Sequence, residues 1–250
     1  MLRTALAGAA QLDHHGFRIR SREVSRLEGL SDAVFGFAIT LLVVSLEVPR
    51  TFDELVGLLR GFVAFAASFA VLIVIWYEHY TFFRRYGFED LWIVVLNSAL
   101  LFVVVLYIYP LKFLFSAVIG QMVGGATGVV PLQWIDGPAL MTIYSVSIIA
   151  VFGLLAAMYA HAYRRRARLE LDEAEVLLTR SNLRYYAIWI GIAIFSIALS
   201  HVGGPAWVPI AGMSYGLLGP LQALNGYLVG KRVSRMRASQ AVGPVEALAG

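Results

Sequence analysis

Arg26-Leu-Glu-Gly-Leu30-Ser31-Asp32-Ala-Val-Phe-Gly-Phe37-Ala-Ile-Thr40-Leu41-Leu-Val-Val44-Ser-Leu-Glu47-Val48-Pro49 is the stretch on which the fold turns. Its uncharged part, from Ala33 to Leu46, is 14 residues. At about 1.5 Å of rise per residue that part reaches about 21 Å, short of the roughly 30 Å of hydrocarbon in a bilayer. The segment spans only if Ser31, Asp32 and Glu28 enter the helix too. Pro49 then stops it on the far side, because proline breaks the hydrogen-bond ladder. The first crossing is therefore expected over Val24–Val48, with a carboxylate one turn inside it.

The rest of the chain agrees with a membrane. It is 250 residues long, 59% hydrophobic and only 14% charged, against about 45–50% and 25% in soluble domains. An interior of this size cannot hide that apolar surface, so lipid must. Five further stretches have spanning length: Gly57–Tyr77, Leu91–Leu111, Ala139–Tyr163, Tyr185–Val202 and Val208–Val229. The prediction is an all-α polytopic membrane protein with six transmembrane helices per subunit. Its three parts are an N-terminal arm (1–23), a six-helix domain (24–230) and a basic tail (231–250).

The net charge of +4 points to nucleic acid only until the charges are placed. Seventeen of the 20 basic residues fall in the arm, in the loops after spans two and four, and in the tail. The positive-inside rule then predicts both termini in the cytoplasm of a plasma-membrane protein, with no nucleic-acid partner. Ala5–Ala10 is too short for a signal-peptide core, so no cleavage is expected. Gly120–Pro138 reads as an external loop. Arg164–Ser181, with Arg166/Glu170 and Arg168/Asp172 at i,i+4 spacing, reads as a helix extending span four. Gly212/Gly216 and Gly226/Gly230 would permit close helix contact on span six.

Enzyme chemistry has no motif here. HExxH, GxSxG and P-loop patterns are absent, and with zero cysteines there is no thiolate or cysteine zinc site. No enzyme activity, cofactor, resident metal or small-molecule substrate is expected. His14 and His15 read as solvated, and His161 and His201 as interfacial. The filter motif TVGYG is also missing.

Turning the first span by about 100° per residue puts Leu30, Ala33, Val34, Phe37, Thr40, Leu41, Val44 and Val48 on one stripe. Asp32 lies roughly 140° from Phe37 on that wheel, facing helices of its own subunit. An intramembrane carboxylate needs a partner. Arg26, Ser31, Asp32, Trp76, His79 and Asn97 lie at similar depth on spans one to three. They are expected to form one hydrogen-bond network, with Asp32 paired to Arg26 or to His79 and Asn97. On periodicity alone, the stripe could face lipid, a packed surface or a pore.

These residues carry a resemblance. Arg26-x-x-x-Leu30-Ser31-Asp32, then Val34-Phe35-x-x-Ala38-Ile39-Thr40-Leu41-Leu42 and Val48-Pro49, resembles the first helix of the lysosomal-type potassium channels, the transmembrane protein 175 family. Ser68-Phe69, Trp76-x-x-His79 and Phe83 are similar to its second helix. Asn97, Leu100-Leu101 and Pro110 are similar to its third. The motif match covers about residues 24–112; beyond it, only the six-span topology agrees. Phe37 stands where the family usually has Ile or Leu, Leu30 where it has Phe, and Tyr80 where a second His is frequent.

The resemblance implies a single-repeat prokaryotic member assembling as a homotetramer around a pore lined by the first helix. Phe37, Thr40, Leu41 and Val44 would form the constriction, with Glu47 at the mouth and K+ as the transported ion; Na+ and H+ stay open. The competing reading is a proton-coupled transporter or carrier using Asp32 and His79 as a relay. Gly/Pro-broken spans in paired positions, which that reading favours, are absent.

Overall fold

The structure is a computed structural model and describes residues 12–13, 16–21, 23–44, 48–122 and 137–246, with side chains at 60, 119–122 and 237–246 excepted. Glu47, His14, His15, the Ala5–Ala10 segment and most of the expected external loop lie outside the described residues. Five long helices follow in order: α1 (Arg26–Val44), α2 (Phe52–Tyr86), α3 (Leu91–Met122), α4 (Gly137–Arg164) and α5 (Glu173–Val202). A 3₁₀ turn (Pro205–Trp207) leads to α6 (Val208–Met213), a second 3₁₀ turn (Ser214–Leu217) and α7 (Leu218–Glu246). Among the described residues the only extended pairing is one antiparallel bridge, Leu12 to Arg18. The protein is all-α.

Each of α1 to α5 holds a stretch long and apolar enough to cross a bilayer. The sixth hydrophobic stretch is segmented. Pro220 offers no N–H to the carbonyl four residues back, Gly216, and that carbonyl lies in the 3₁₀ turn. α7 then runs through position 230 without a break.

Local signals set the helix ends. Ser25 and Glu28 cap α1 reciprocally: Glu28 N–H donates to Ser25 Oγ (3.1 Å) and Ser25 N–H donates to Glu28 Oε2 (2.9 Å). Gly87, at φ 59°, ends α2 in the left-handed conformation that glycine adopts without steric penalty. Asp90 opens α3 by accepting from Ile93 N–H at 3.1 Å. Gly137 starts α4 where a Cβ would lie 2.6 Å from Val208 Cγ2, so only glycine lets α6 approach there.

Three expectations are corrected. The charged segment does not extend span four: α4 stops at Arg164, and after a turn with Glu170 at φ 49° the chain enters α5. Asp172 and Glu175 form a capping box there, so the charged residues lengthen span five instead. The i,i+4 pairs do not form: Arg166 packs on the Tyr163 ring, and Asp172 serves as the cap. Gly212, Gly216, Gly226 and Gly230 make no close approach within the subunit, since a Cβ at any of them meets nothing within 4 Å.

The arm is tied to the bundle. Glu175, buried, accepts from Arg18 (N–H and Nε at 3.0 Å, Nη2 at 2.8 Å) and from Arg20 (Nη2 at 2.7 Å). Arg85 binds Asp13 Oδ2 through Nε and Nη2 at 2.9 and 2.8 Å. Phe17, fully buried, lies under the guanidiniums of Arg20 and Arg85. It also meets Tyr86 edge-on, within a ring cluster that includes Phe82, Tyr159 and Tyr186. These contacts bring the arm, the end of α2 and the α4–α5 turn to one end of the molecule.

Candidate functional site

α1 packs on α2 and α3 through Glu28, Ser31, Phe35, Ala38 and Leu42, all buried. Those positions recur at helical spacing and define the inward face. The opposite face carries the stripe. Phe37 is 59% exposed and Val44 71%, Thr40 is exposed, and Leu41 is half-buried at the edge. Thr40 Oγ1 donates to Gly36 O at 2.9 Å, so its proton is held by the helix and its lone pairs are the free side of the hydroxyl.

Two separate polar links stand where one network was expected. The first is a chain with a defined direction. Ser31 Oγ–H donates to Leu27 O (2.8 Å), so Ser31 Oγ accepts from Asn97 Nδ2 (2.9 Å). Asn97 Oδ1 then faces His79 Nε2 at 2.7 Å, and that nitrogen must carry the proton. Ser31, His79 and Asn97 are all buried.

Asp32 belongs to the second link. Its Oδ1 accepts from Trp76 Nε1 at 2.8 Å, at an exposed position. It forms no ion pair with Arg26 among the described residues, and it is not hydrogen-bonded to His79. Arg26 is exposed. The two interfacial histidines have partners of their own: His161 Nε2 meets Asp90 Oδ2 at 2.7 Å, and His201 Nε2 meets Thr142 Oγ1 at 2.8 Å.

Residue-by-residue reading missed the Glu175 centre and the intramembrane contact of Glu78 with Tyr186 (Oη donating to Oε2 at 2.7 Å). For Glu175 a signal exists in Asp172-x-x-Glu175 before an apolar run, a capping-box pattern. For Glu78 the signal is a carboxylate within a spanning helix. Among the described residues no group of acidic or histidine side chains is arranged to hold a metal ion.

The fold and this site define a multi-pass membrane protein whose first helix turns a polar-spotted apolar stripe away from its own bundle. The profile described as "Endosomal/lysosomal potassium channel TMEM175" matches residues 26–107. A potassium channel of Marivirga tractuosa is 32% identical over 231 residues, covering 88% of this chain and 93% of its own length. A potassium channel of Chamaesiphon minutus is 35% identical over 96 residues, 35% of this chain and 47% of its own length. Among solved structures, a crystal structure of a variant of the potassium channel MtTMEM175 superposes with a TM-score of 0.76 at 31% identity, over 89% of this chain and 100% of that one. The structure of a TMEM175 homologue from Chamaesiphon minutus shares the fold, with a TM-score of 0.53 at 22% identity over 84% of this chain and 99% of that one. The chain belongs to the TMEM175 family.

Proposed function

We propose that the protein is a potassium-permeable cation channel, a homotetramer with the first helix of each subunit lining a central pore. Relatives that match over most of this chain are named potassium channels. The observation that carries the reading is the two-sidedness of α1: Ser31, Phe35, Ala38 and Leu42 are buried, while Phe37, Thr40 and Val44 are exposed on the opposite face. Four copies around an axis stack Phe37, Leu41 and Val44 as apolar rings. The Thr40 lone pairs supply a ring of acceptors between them. Such a throat resists ions by the cost of dehydration and gates by dewetting, without a carbonyl filter.

Glu47 at the outer mouth would concentrate cations. The Ser31–Asn97–His79 chain and the Asp32–Trp76 bond, with Arg26 at the helix start, would hold α1 at a fixed rotation. The arm (1–23) and tail (231–250) flank the channel domain (24–230) on the cytoplasmic side of the plasma membrane. The transporter alternative gains no support from the site, because Asp32 and His79 are each bonded to a different residue.

The test is a planar bilayer with potassium on one side and sodium on the other. Phe37→Ala or Leu41→Ala should raise conductance and shift the bi-ionic reversal potential toward sodium permeation. Alanine at Phe37, Leu41 and Val44 together with current and reversal potential unchanged would remove α1 from the pore. Slow, saturable, coupled flux would favour the carrier.

A further inference from the structure

A cavity of about 470 Å³ lies between α2, α5 and α7, at the end of the molecule where the arm docks. Its wall is unusual for the spanning region, because Glu78, Thr81, Asn182, Gln222 and Asn225 all contribute to it. Gly226 and Gly230 line it as well, and a Cβ at either meets nothing within 4 Å. In α7 these glycines therefore leave volume open instead of drawing helices together.

The polar groups are unbalanced in one direction. Gln222 is oriented by Nε2 donating to Tyr185 O at 2.9 Å, and its Oε1 is buried with no hydrogen-bond partner among the described residues. Asn225 is oriented the same way, with Nδ2 donating to Ser181 Oγ at 3.2 Å, so its oxygen is the end not engaged there. Glu78 accepts from Tyr186 through Oε2, and a carboxylate has room for several more donors. Arg85 also lines the wall and its charge reaches Glu78, but its Nε and Nη2 are both directed at Asp13, whose carboxylate balances that charge. The cavity thus presents acceptors that need donors, beside an intramembrane carboxylate.

We propose that this cavity is a binding site for a small organic ammonium ion. The charged nitrogen sits on Glu78 and donates to Gln222 Oε1, and the apolar body lies among Tyr77, Leu178 and Tyr185. A charge-assisted hydrogen bond to the carboxylate and an aromatic wall are the features that recognise amines. The volume matches small-molecule sites, about 300–1,000 Å³, and far exceeds a single dehydrated alkali ion.

The experiment uses the full chain in nanodiscs and isothermal calorimetry with phenethylammonium chloride, phenethyl alcohol as neutral counterpart, and potassium chloride. The amine should bind saturably and the alcohol should not. Glu78→Gln should weaken binding about tenfold or more. Gly226→Leu, which fills the cavity and leaves Glu78 in place, should do the same, and it decides the matter if Glu78→Gln fails to fold. Alanine at Phe37, Leu41 and Val44 should leave amine affinity unchanged, which separates this site from occupancy of the pore. Any of four results overturns the proposal: no saturable amine binding, equal binding of the alcohol, Glu78-dependent binding of potassium alone, or full affinity in Gly226→Leu.

Discussion

Asn97 joins three helices with one amide: it sits on α3, donates to Ser31 of α1 and accepts from His79 of α2. An apolar replacement leaves the buried His79 N–H without its partner, at about 1–3 kcal/mol, and takes away the donor to Ser31 Oγ, which keeps its bond to Leu27 O, at about 1 kcal/mol more. Asn97→Leu should therefore destabilise the protein by about 2–4 kcal/mol, read as a lowered unfolding midpoint in detergent. Asp32→Ala, at an exposed position, removes only the bond to Trp76 and should cost about 1 kcal/mol or less. Equal losses would mean that the buried chain is no more than incidental. That polar residues gather on the first three spans is legible from residue types and depth. Which of them pair is not, because a hydrogen bond depends on the rotation of each helix about its own axis. A small turn of α1 gives Asp32 to Trp76 and leaves Asn97 to Ser31.

The corner between α2 and α3 shows how an element boundary becomes sensitive to pH. Burial pushes the Asp90 carboxyl up, but the Ile93 N–H and the His161 ring outweigh it and hold the group below the usual carboxylate range. A lowered folded-state value means that the charged form is favoured by folding. Its contribution is complete above the ordinary Asp value of about 4, and it disappears as pH falls through the lowered value. The difference in unfolding temperature between the native protein and Asp90→Asn should be largest at neutral pH and should close as pH drops below that range. A constant difference would assign the effect to the cap alone. Caps of this kind are readable in sequence, as at Asp172-x-x-Glu175. The i,i+4 pairs around Arg166 mislead because spacing presumes a helix, and the break at 165–172 removes it.

At the scale of the whole molecule, the sidedness expected from the basic residues is easy to measure, because the chain has no cysteine of its own. Single cysteines at Arg166, in the α4–α5 turn, and at Asp53, in the first turn of α2, should label from opposite sides of an intact cell, Arg166 from the cytoplasm. Labelling of both from one side would invalidate the six-span topology, and the reverse pattern would invert it. The sequence by itself determined that the chain crosses a membrane, roughly where, and which stripe of α1 stands apart. Those properties follow from local composition and from helical periodicity, which are written in neighbouring residues. Only the tertiary structure decided that Glu175 gathers Arg18 and Arg20 across some 155 positions of chain, that Asp32 belongs to Trp76, and that glycines on α7 leave a polar cavity open beside Glu78. Those outcomes depend on the depth and rotation at which separate helices meet. The packing of the whole bundle sets them, and no single segment encodes them.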